Sequence, residues 1–428
     1  MTVDEPSART VIPAVAPALT RPVARPAALP GGLVLRESRP EDQEQIEALL
    51  AERGDATDAL DHRLVAEDPD TGRSATAVVV DGDRVVSTAT LLDEELRLGT
   101  VRLPAGQLEL VATDEEYEGR GLVRALTGWA HARSAERGHL VQVMIGIPYF
   151  YRQFGYEYAI DIPVSRPLRG TPPDSGTSVL RTATAADLPA LTALQDTAQR
   201  GFDVAMPHSA ACWRWLLAHE ASTLRVVERA GAVVAAGRNT PVDDGVFHLA
   251  EAAAADEQAA LDLLAGVAAS APGAKLRVVH RPGTLPADAW HDLVEHAPRG
   301  EAQQYYVRVP DPTALLDRLR PLFWQRLVTA GLNRAGDDLI VSTFRAHHRI
   351  PVDEQGLGAV VTGGPMQGPS AEGGAGVAPD QLAPLLLGPH GIEGLSRIRP
   401  DVYPGARMRV YRALFPPLTA DLLTYYLP

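Results

Sequence analysis

The residues whose types and spacing are best suited to chemistry lie between Leu108 and Val123. Leu108-Glu109-Leu110-Val111-Ala112-Thr113 reads as a strand, Asp114 to Tyr117 as a turn, and Glu118-Gly119-Arg120-Gly121-Leu122-Val123 as the lead into a helix. A strand that passes through a glycine-bearing turn into a helix offers free backbone N–H groups and a positive helix end, a combination that binds phosphate or pyrophosphate. Gly119 and Gly121 would let the backbone approach such an anion closely, and Arg120 and Arg124 would add charge. An ordinary tight strand-to-helix connection has the same look, so spacing alone leaves both readings open.

The elements that must hold this stretch are legible from periodicity and turn residues. Ala75–Val80 and 84–91 read as strands around the turn Asp81-Gly82-Asp83, a hairpin signal. Strand 107–113, helix 122–136 and a buried-type strand 140–147 follow, and then come Tyr149, Phe150, Tyr151, Phe154, Tyr156 and Tyr158. An internal repeat extends the plan. Val34-Leu35-Arg36 leads to Asp42 and an apolar helix pattern, and Val179-Leu180-Arg181 leads to Asp187 and the same pattern at the same offsets. This predicts two related units beginning near residues 33 and 178, separated by a Pro/Gly-rich link at 166–177.

The second unit is expected to carry strands at 224–228, 233–239 and 246–251, a helix at 257–269 and a strand at 275–280. A third region begins near Ala302 with a strand 305–309, then a helix from Pro312, strands at 338–344 and 360–361, a loop 363–376 too glycine-rich to pack, and helices at 380–387 and 392–398. The expected division is a disordered Pro-rich tail 1–32, units 33–170 and 178–300, and a third domain 301–428, in an α+β (α/β) order throughout. At 428 residues and roughly 150 residues per domain the length suits about three domains.

The charge balance narrows the partners. A net charge of -14 argues against nucleic acid and favours cationic small molecules or basic peptide groups. The single Cys212 forms no internal disulfide, and no Cys-pair metal motif is possible. No stretch approaches the ~20 apolar residues of a membrane helix, and the proline-broken, acidic start is not a signal peptide, so a cytoplasmic protein is the expectation. Cys212, Trp213 and Trp215 read as core, although the two tryptophans could line a substrate cleft. The adjacent His347 and His348 would face opposite sides of a strand, so they are read as surface residues and no metal site is expected.

Residues 118–123 resemble the acyl-CoA-binding motif of the GNAT N-acetyltransferase superfamily, Arg/Gln-x-x-Gly-x-Gly/Ala. The Arg120-Gly121-Leu122 core matches, whereas Glu118 and Val123 depart at the first and last positions. Tyr151-Arg152-Gln153-Phe154-Gly155-Tyr156 is similar to the Tyr-x-x-Phe-Gly-Tyr/Phe segment of the same enzymes. Tandem units followed by a third α+β region resemble the enhanced intracellular survival (Eis) acetyltransferases. That resemblance implies tandem GNAT-like mixed-sheet domains, the second degenerate, followed by a sterol-carrier-protein-like domain that includes Pro379–Gly388 and Gly391–Leu395.

The resemblance implies acetyl-CoA as co-substrate and an acetyl transfer to a primary amine of an aminoglycoside- or polyamine-like molecule or a lysine side chain. Val111, Ala112, Thr113, Glu118, Gly119, Arg120, Gly121, Leu122, Val123, Gly146 and Ile147 would hold the cofactor. Tyr151 would be the general acid, with Tyr149 and Tyr156 as rival donors, since a phenol of pKa ~10 can protonate a thiolate of pKa ~8.5. The C-terminal carboxylate, here on Pro428, would be the general base, with Glu109, Glu116 and Glu118 as alternative bases or amine anchors. A homo-oligomer, a hexamer in relatives, is also implied. Two other expectations stand beside this one: a non-catalytic GNAT-like protein binding an apolar ligand through its third domain, and an acyltransferase in a biosynthetic pathway that uses a different acyl group.

Overall fold

The computed structural model describes residues 26–296 and 303–422. The expected tail lies mostly outside them, but its last residues are ordered: Ala27–Ala28 pair antiparallel with the first long strand. The first unit runs β1 (Val34–Glu37), α1 (Gln43–Arg53), α2 (Ala56–Glu67), β2 (Thr76–Asp81), β3 (Arg84–Leu98), β4 (Val101–Thr113), α3 (Leu122–Glu136), β5 (Val141–Met144) and β6 (Glu157–Asp161). The second runs β7 (Ser165–Pro167), β8 (Val179–Thr182), α4 (Leu188–Gln199), β9 (Val204–Met206), α5 (Ala210–Ala218), β10 (Thr223–Arg229), β11 (Ala232–Asn239), β12 (Val246–Ala254), α6 (Glu257–Ser270), β13 (Lys275–Val279) and α7 (Leu285–Ala289).

The repeat seen in the sequence has a physical basis. Arg36 holds Asp42 through two hydrogen bonds of 2.6 and 2.8 Å, and Asp42 also accepts from the backbone of Arg39. Arg181 holds Asp187 at 2.8 and 2.8 Å, and Asp187 accepts from the backbone of Thr184. In both units a strand arginine and an aspartate six positions later clamp the turn into the first helix, a bidentate geometry that fixes orientation as well as charge.

The third region departs from expectation at its start. The strand predicted there, β14 (Gln304–Arg308), joins the first sheet between β5 and β6, antiparallel to both. Tyr305, Tyr306 and Val307 are wholly buried by that insertion, and each large side chain removed from water contributes about 1.5–3 kcal/mol. The rest comprises α8 (Pro312–Arg318), α9 (Arg320–Ala330), β15 (Leu339–Ser342), β16 (His347–Ile350), β17 (Val361–Gly363), β18 (Ala375–Val377), α10 (Leu382–Leu387), α11 (Gly391–Ile398), β19 (Val402–Tyr403) and α12 (Met408–Leu414). The glycine-rich stretch packs better than its composition suggests: Ala375, Gly376 and Val377 are buried in β18. His348 is buried rather than surface, because β16 turns it inward beneath Thr313.

The first sheet therefore has the order Ala27–Ala28, β1, β2, β3, β4, β5, β14, β6, and β9 with β20 (Ala420–Leu422) extends it at the far end of β3. One large core fuses it to the third region, where Leu96, Leu103, Tyr305, Phe323, Leu385 and Tyr411 pack together. The second sheet, β7-β13-β12-β11-β10-β8, closes over α6.

Candidate active site

The site begins with a break in the sheet. Strands β4 and β5 run parallel from Ala105 opposite Val141 to Gln107 opposite Val143, and pairing stops there while β4 continues to Thr113. Beyond that point a bulge enters β4: Thr88 pairs with Ala112 and Thr90 with Glu109, so Leu110 and Val111 face Ala89 alone. Leu110 has φ 52°, the left-handed backbone that a bulge of this kind requires. Bulge and splay together open a cleft of about 490 Å3.

At the mouth of the cleft α3 points its N-terminus inward. Its N-cap is Gly121, which supplies no side-chain cap, and the first turn holds no acidic residue. The N–H groups of Leu122, Val123 and Arg124 are therefore left to an incoming acceptor. Gly119 and Gly121 have φ 72° and 80°, and no atom lies within 4 Å of where a Cβ would stand at either. The glycines thus serve the left-handed turn and leave its outer surface bare.

Val111, Ala112, Thr113, Glu118, Gly119, Gly121, Leu122, Val123, Ile147 and Tyr151 all line the cleft. Arg120 does not: its guanidinium lies 4.4 Å from the Tyr117 ring and donates to the backbone of Glu116. Gly146 is also absent from the wall but acts on it, because a Cβ there would come within 2.5 Å of the Tyr151 ring. The departure at Glu118 is compensated, since its carboxylate is ion-paired with Arg53, which also lines the cleft. Arg53, at the C-terminus of α1, went unnoticed in the sequence because only the fold brings α1 beside the turn.

Tyr151 sits edge-on to Phe150, Tyr156 and Tyr306. It is 5 % exposed, and its hydroxyl has no hydrogen-bond partner among the described residues. Burial, with the nearby Glu109 charge, pushes its phenol up to about 12, so it holds its proton at any physiological pH. Of its rivals, Tyr156 is buried and donates to Gln142, and Tyr149 is largely exposed with its ring under Arg152. Neither lines the cleft.

Glu109, the residue before the bulge, is buried and accepts from Gln107 at 2.8 Å. Burial pushes its carboxyl up to about 8, with the charges of Asp61 and Asp58 adding to the rise. Glu109 thus lies within electrostatic reach of Tyr151 on one side and of those aspartates on the other. Glu116 and Glu118 are surface residues of the turn, with Glu116 beside Arg84.

A second cavity, of about 700 Å3, opens between the first two units. Asp55, Asp58 and Asp61 of the first unit and Asp243 and Asp244 of the second line it, with Trp215 and Arg238. Its wall is fixed by a buried chain: His219 meets Asp61 at 2.9 Å and Ser222 at 2.8 Å, and Trp215 donates to Asp61 at 3.2 Å. Cys212 and Trp213 are core, whereas Trp215 belongs to both core and cavity. These aspartates were invisible as a site in the sequence, because three come from the segment that starts α2 and two from a loop some 180 positions later. Among the described residues no group of His, Cys, Asp or Glu side chains is placed to hold a metal ion, and no helix is long and apolar enough to cross a membrane. Pro428 lies outside the described residues.

Residues 35–159 match the acetyltransferase (GNAT) domain family. No curated protein matches the chain in sequence. Among solved structures, a GCN5-related N-acetyltransferase from Anabaena variabilis is similar at a TM-score of 0.67 and 13 % identity, over 91 % of this chain and 99 % of that one. A protein of unknown function from Enterococcus faecalis, described as a probable N-acyltransferase, is similar at 0.64 and 14 %, over 92 % and 100 %. Eis1 from Mycobacterium abscessus is similar at 0.55 and 15 %, over 91 % and 99 %. Residues 35–159 thus match the acetyltransferase (GNAT) domain family, and they are set in a larger fold that this chain shares along nearly its whole length with these solved structures.

Proposed function

We propose that this protein is an acetyl-CoA-dependent N-acetyltransferase acting on a primary amine of a cationic acceptor. The observation that carries this reading is the convergence of an uncapped helix N-terminus, a bare glycine turn and the Tyr151 side chain on one cleft. Backbone N–H groups of Leu122 to Arg124, with Arg53 beside them, would take the pyrophosphate, and Val111 to Thr113 would align the pantetheine arm. Acetyl-CoA supplies the activated acyl thioester.

Tyr151 holds a proton ready for the departing sulfur. The acceptor amine arrives as an ammonium of pKa near ~10, so a base is needed. Glu109, poised near 8 and buried behind the cleft lining rather than part of it, would take that proton through a water at working pH. The Pro428 carboxylate remains a second base within this proposal. The acidic cavity would hold the rest of a polycation, with Asp55, Asp58 and Asp61 facing Asp243 and Asp244. A homo-oligomer and a sterol-carrier-protein-like third domain complete the reading, both resting on the family resemblance, and a cytoplasmic location belongs to the proposal on the sequence pattern alone.

The test is calorimetric titration with acetyl-CoA, followed by thiol release in the presence of spermidine, kanamycin or a lysine peptide. Saturable binding with amine-dependent thiol release is expected. No binding at millimolar acetyl-CoA would overturn the reading, and binding with no release from any amine would overturn its acceptor half.

A further inference from the structure

A third cavity, of about 410 Å3, lies on the other side of β14 and β6, where the first sheet meets the segment Pro379–Ala383 of the third region. Its most unusual feature is Arg308, the last residue of β14. Among the described residues this guanidinium has no carboxylate partner, and its only hydrogen bond is from Nη1 to the neutral Gln142 Oε1 at 3.0 Å. That oxygen is already shared with the Tyr156 hydroxyl at 3.1 Å. A guanidinium carries five N–H donors, so most of Arg308's face the cavity unmatched. Burial is the main influence on it and disfavours its charge, although the side chain is only half-buried and its unmatched donors stay open to the cavity.

The surroundings say what would compensate it. Arg152, which shares the cavity, is already matched to Glu157. Gly155, at φ 86°, lays its backbone against Arg308, where a Cβ would stand 3.5 Å from Nε, so the planar group is held from one side. Val307, Val309, Pro312, Pro379, Leu382 and Ala383 add an apolar stretch to a wall that is otherwise polar. Asp380 stands exposed in the lining and weighs against a multiply charged anion.

We infer that this cavity is a binding site for a small monocarboxylate with an apolar body, its carboxylate held by the fork of Arg308. A bidentate carboxylate matches one planar guanidinium, and a single charge suits a wall in which Arg152 and Glu157 pair with each other and leave Arg308 and Asp380 as the unpaired charges among the described residues. The site is separate from the acetyl-CoA cleft and does not depend on the acetyltransferase reading.

The probe is sodium octanoate, titrated calorimetrically into the full-length protein, with sodium sulfate as the multiply charged control. Octanoate is expected to bind one site, to be weakened about tenfold or more in Arg308→Gln, and to bind more tightly in Asp380→Asn. Saturating coenzyme A should leave its affinity unchanged. Equal affinity in wild type and Arg308→Gln, displacement by coenzyme A, or preference for sulfate would each overturn the assignment, as would an absence of binding to wild type at about 10 mM. Arg308→Lys, which keeps the charge but loses the fork, guards against a folding artefact: it should retain the wild-type melting temperature and still bind octanoate less well than wild type.

Discussion

The two sheet-and-helix units solve the same local problem in opposite ways. In the first, β4 bulges at Leu110 (φ 52°), and the helix after it starts at an uncapped glycine. In the second, β12 bulges at Glu251 (φ 57°), but the next helix starts at Asp256, whose carboxylate caps the N–H of Ala259 and is ion-paired with Arg229. The second helix end is thus filled by its own aspartate and offers an anion nothing. The carboxylates at the two bulges diverge as well. Glu109 has no cation paired with it among the described residues, and burial raises it to about 8. Burial would also raise Glu251, but Arg238 and His208 outweigh it and hold that group down to about 2. The fold supplies the bulge, and chemistry depends on which neighbours leave the groups there unmet.

Substitutions can erase this contrast or deepen it. Tyr151→Phe should lower kcat about a hundredfold or more with little change in acetyl-CoA affinity, read from thiol release and titration. Glu251→Gln removes the carboxylate that faces buried Arg238, and should cost about 3–5 kcal/mol in denaturant unfolding while the pH dependence of turnover stays as it was. Glu109→Gln should reduce kcat by about tenfold to a hundredfold and abolish a limb of the pH profile near 8.

The two glutamates should also move stability in opposite directions. The folded protein prefers Glu109 protonated, so that residue lowers stability progressively as pH rises from about 4.5 to about 8. Glu251 contributes stability above the ordinary glutamate range and loses it as pH falls toward about 2. Melting curves of Glu109→Gln against wild type at pH 5 and 9 should therefore separate only at the higher pH. Importing the second unit's solution, Gly121→Asp should weaken acetyl-CoA about tenfold by placing a carboxylate at the helix end. The mildest change, Asp256→Ala, should cost about 1 kcal/mol of stability and leave acetyl-CoA binding untouched.

What was legible in the sequence was whatever lies close along the chain. The turn 118–123, the helix after it and the Tyr151 aromatic cluster are contiguous, and their residue types report their geometry directly. The positions of Arg36, Asp42, Arg181 and Asp187 were visible for the same reason, as a repeat with fixed offsets, whereas their ion pairing was not. Arg53, Asp61 and Tyr306 were not, since each reaches its partner across a long stretch of chain: Arg53 to Glu118, Asp61 to His219, Tyr306 to Tyr158. Glu109 was visible as an acid but not as a raised one, because its environment is assembled from β3, α2 and Gln107. The start of the third region misled for a related cause: a run such as Gln304–Arg308 states that it is a strand without stating whose.

That strand has a consequence for how the protein is made. Since β14 lies between β5 and β6, the first sheet has a gap until residue 308 has left the ribosome. Tyr306, which stacks on Tyr158 and touches Tyr151, arrives with it. The nascent first unit must wait, with two unpaired strand edges, while the whole second unit is synthesised, and such edges invite pairing with other chains. A gene fragment ending at residue 170 would encode every residue of the motif and still yield a sheet that cannot close.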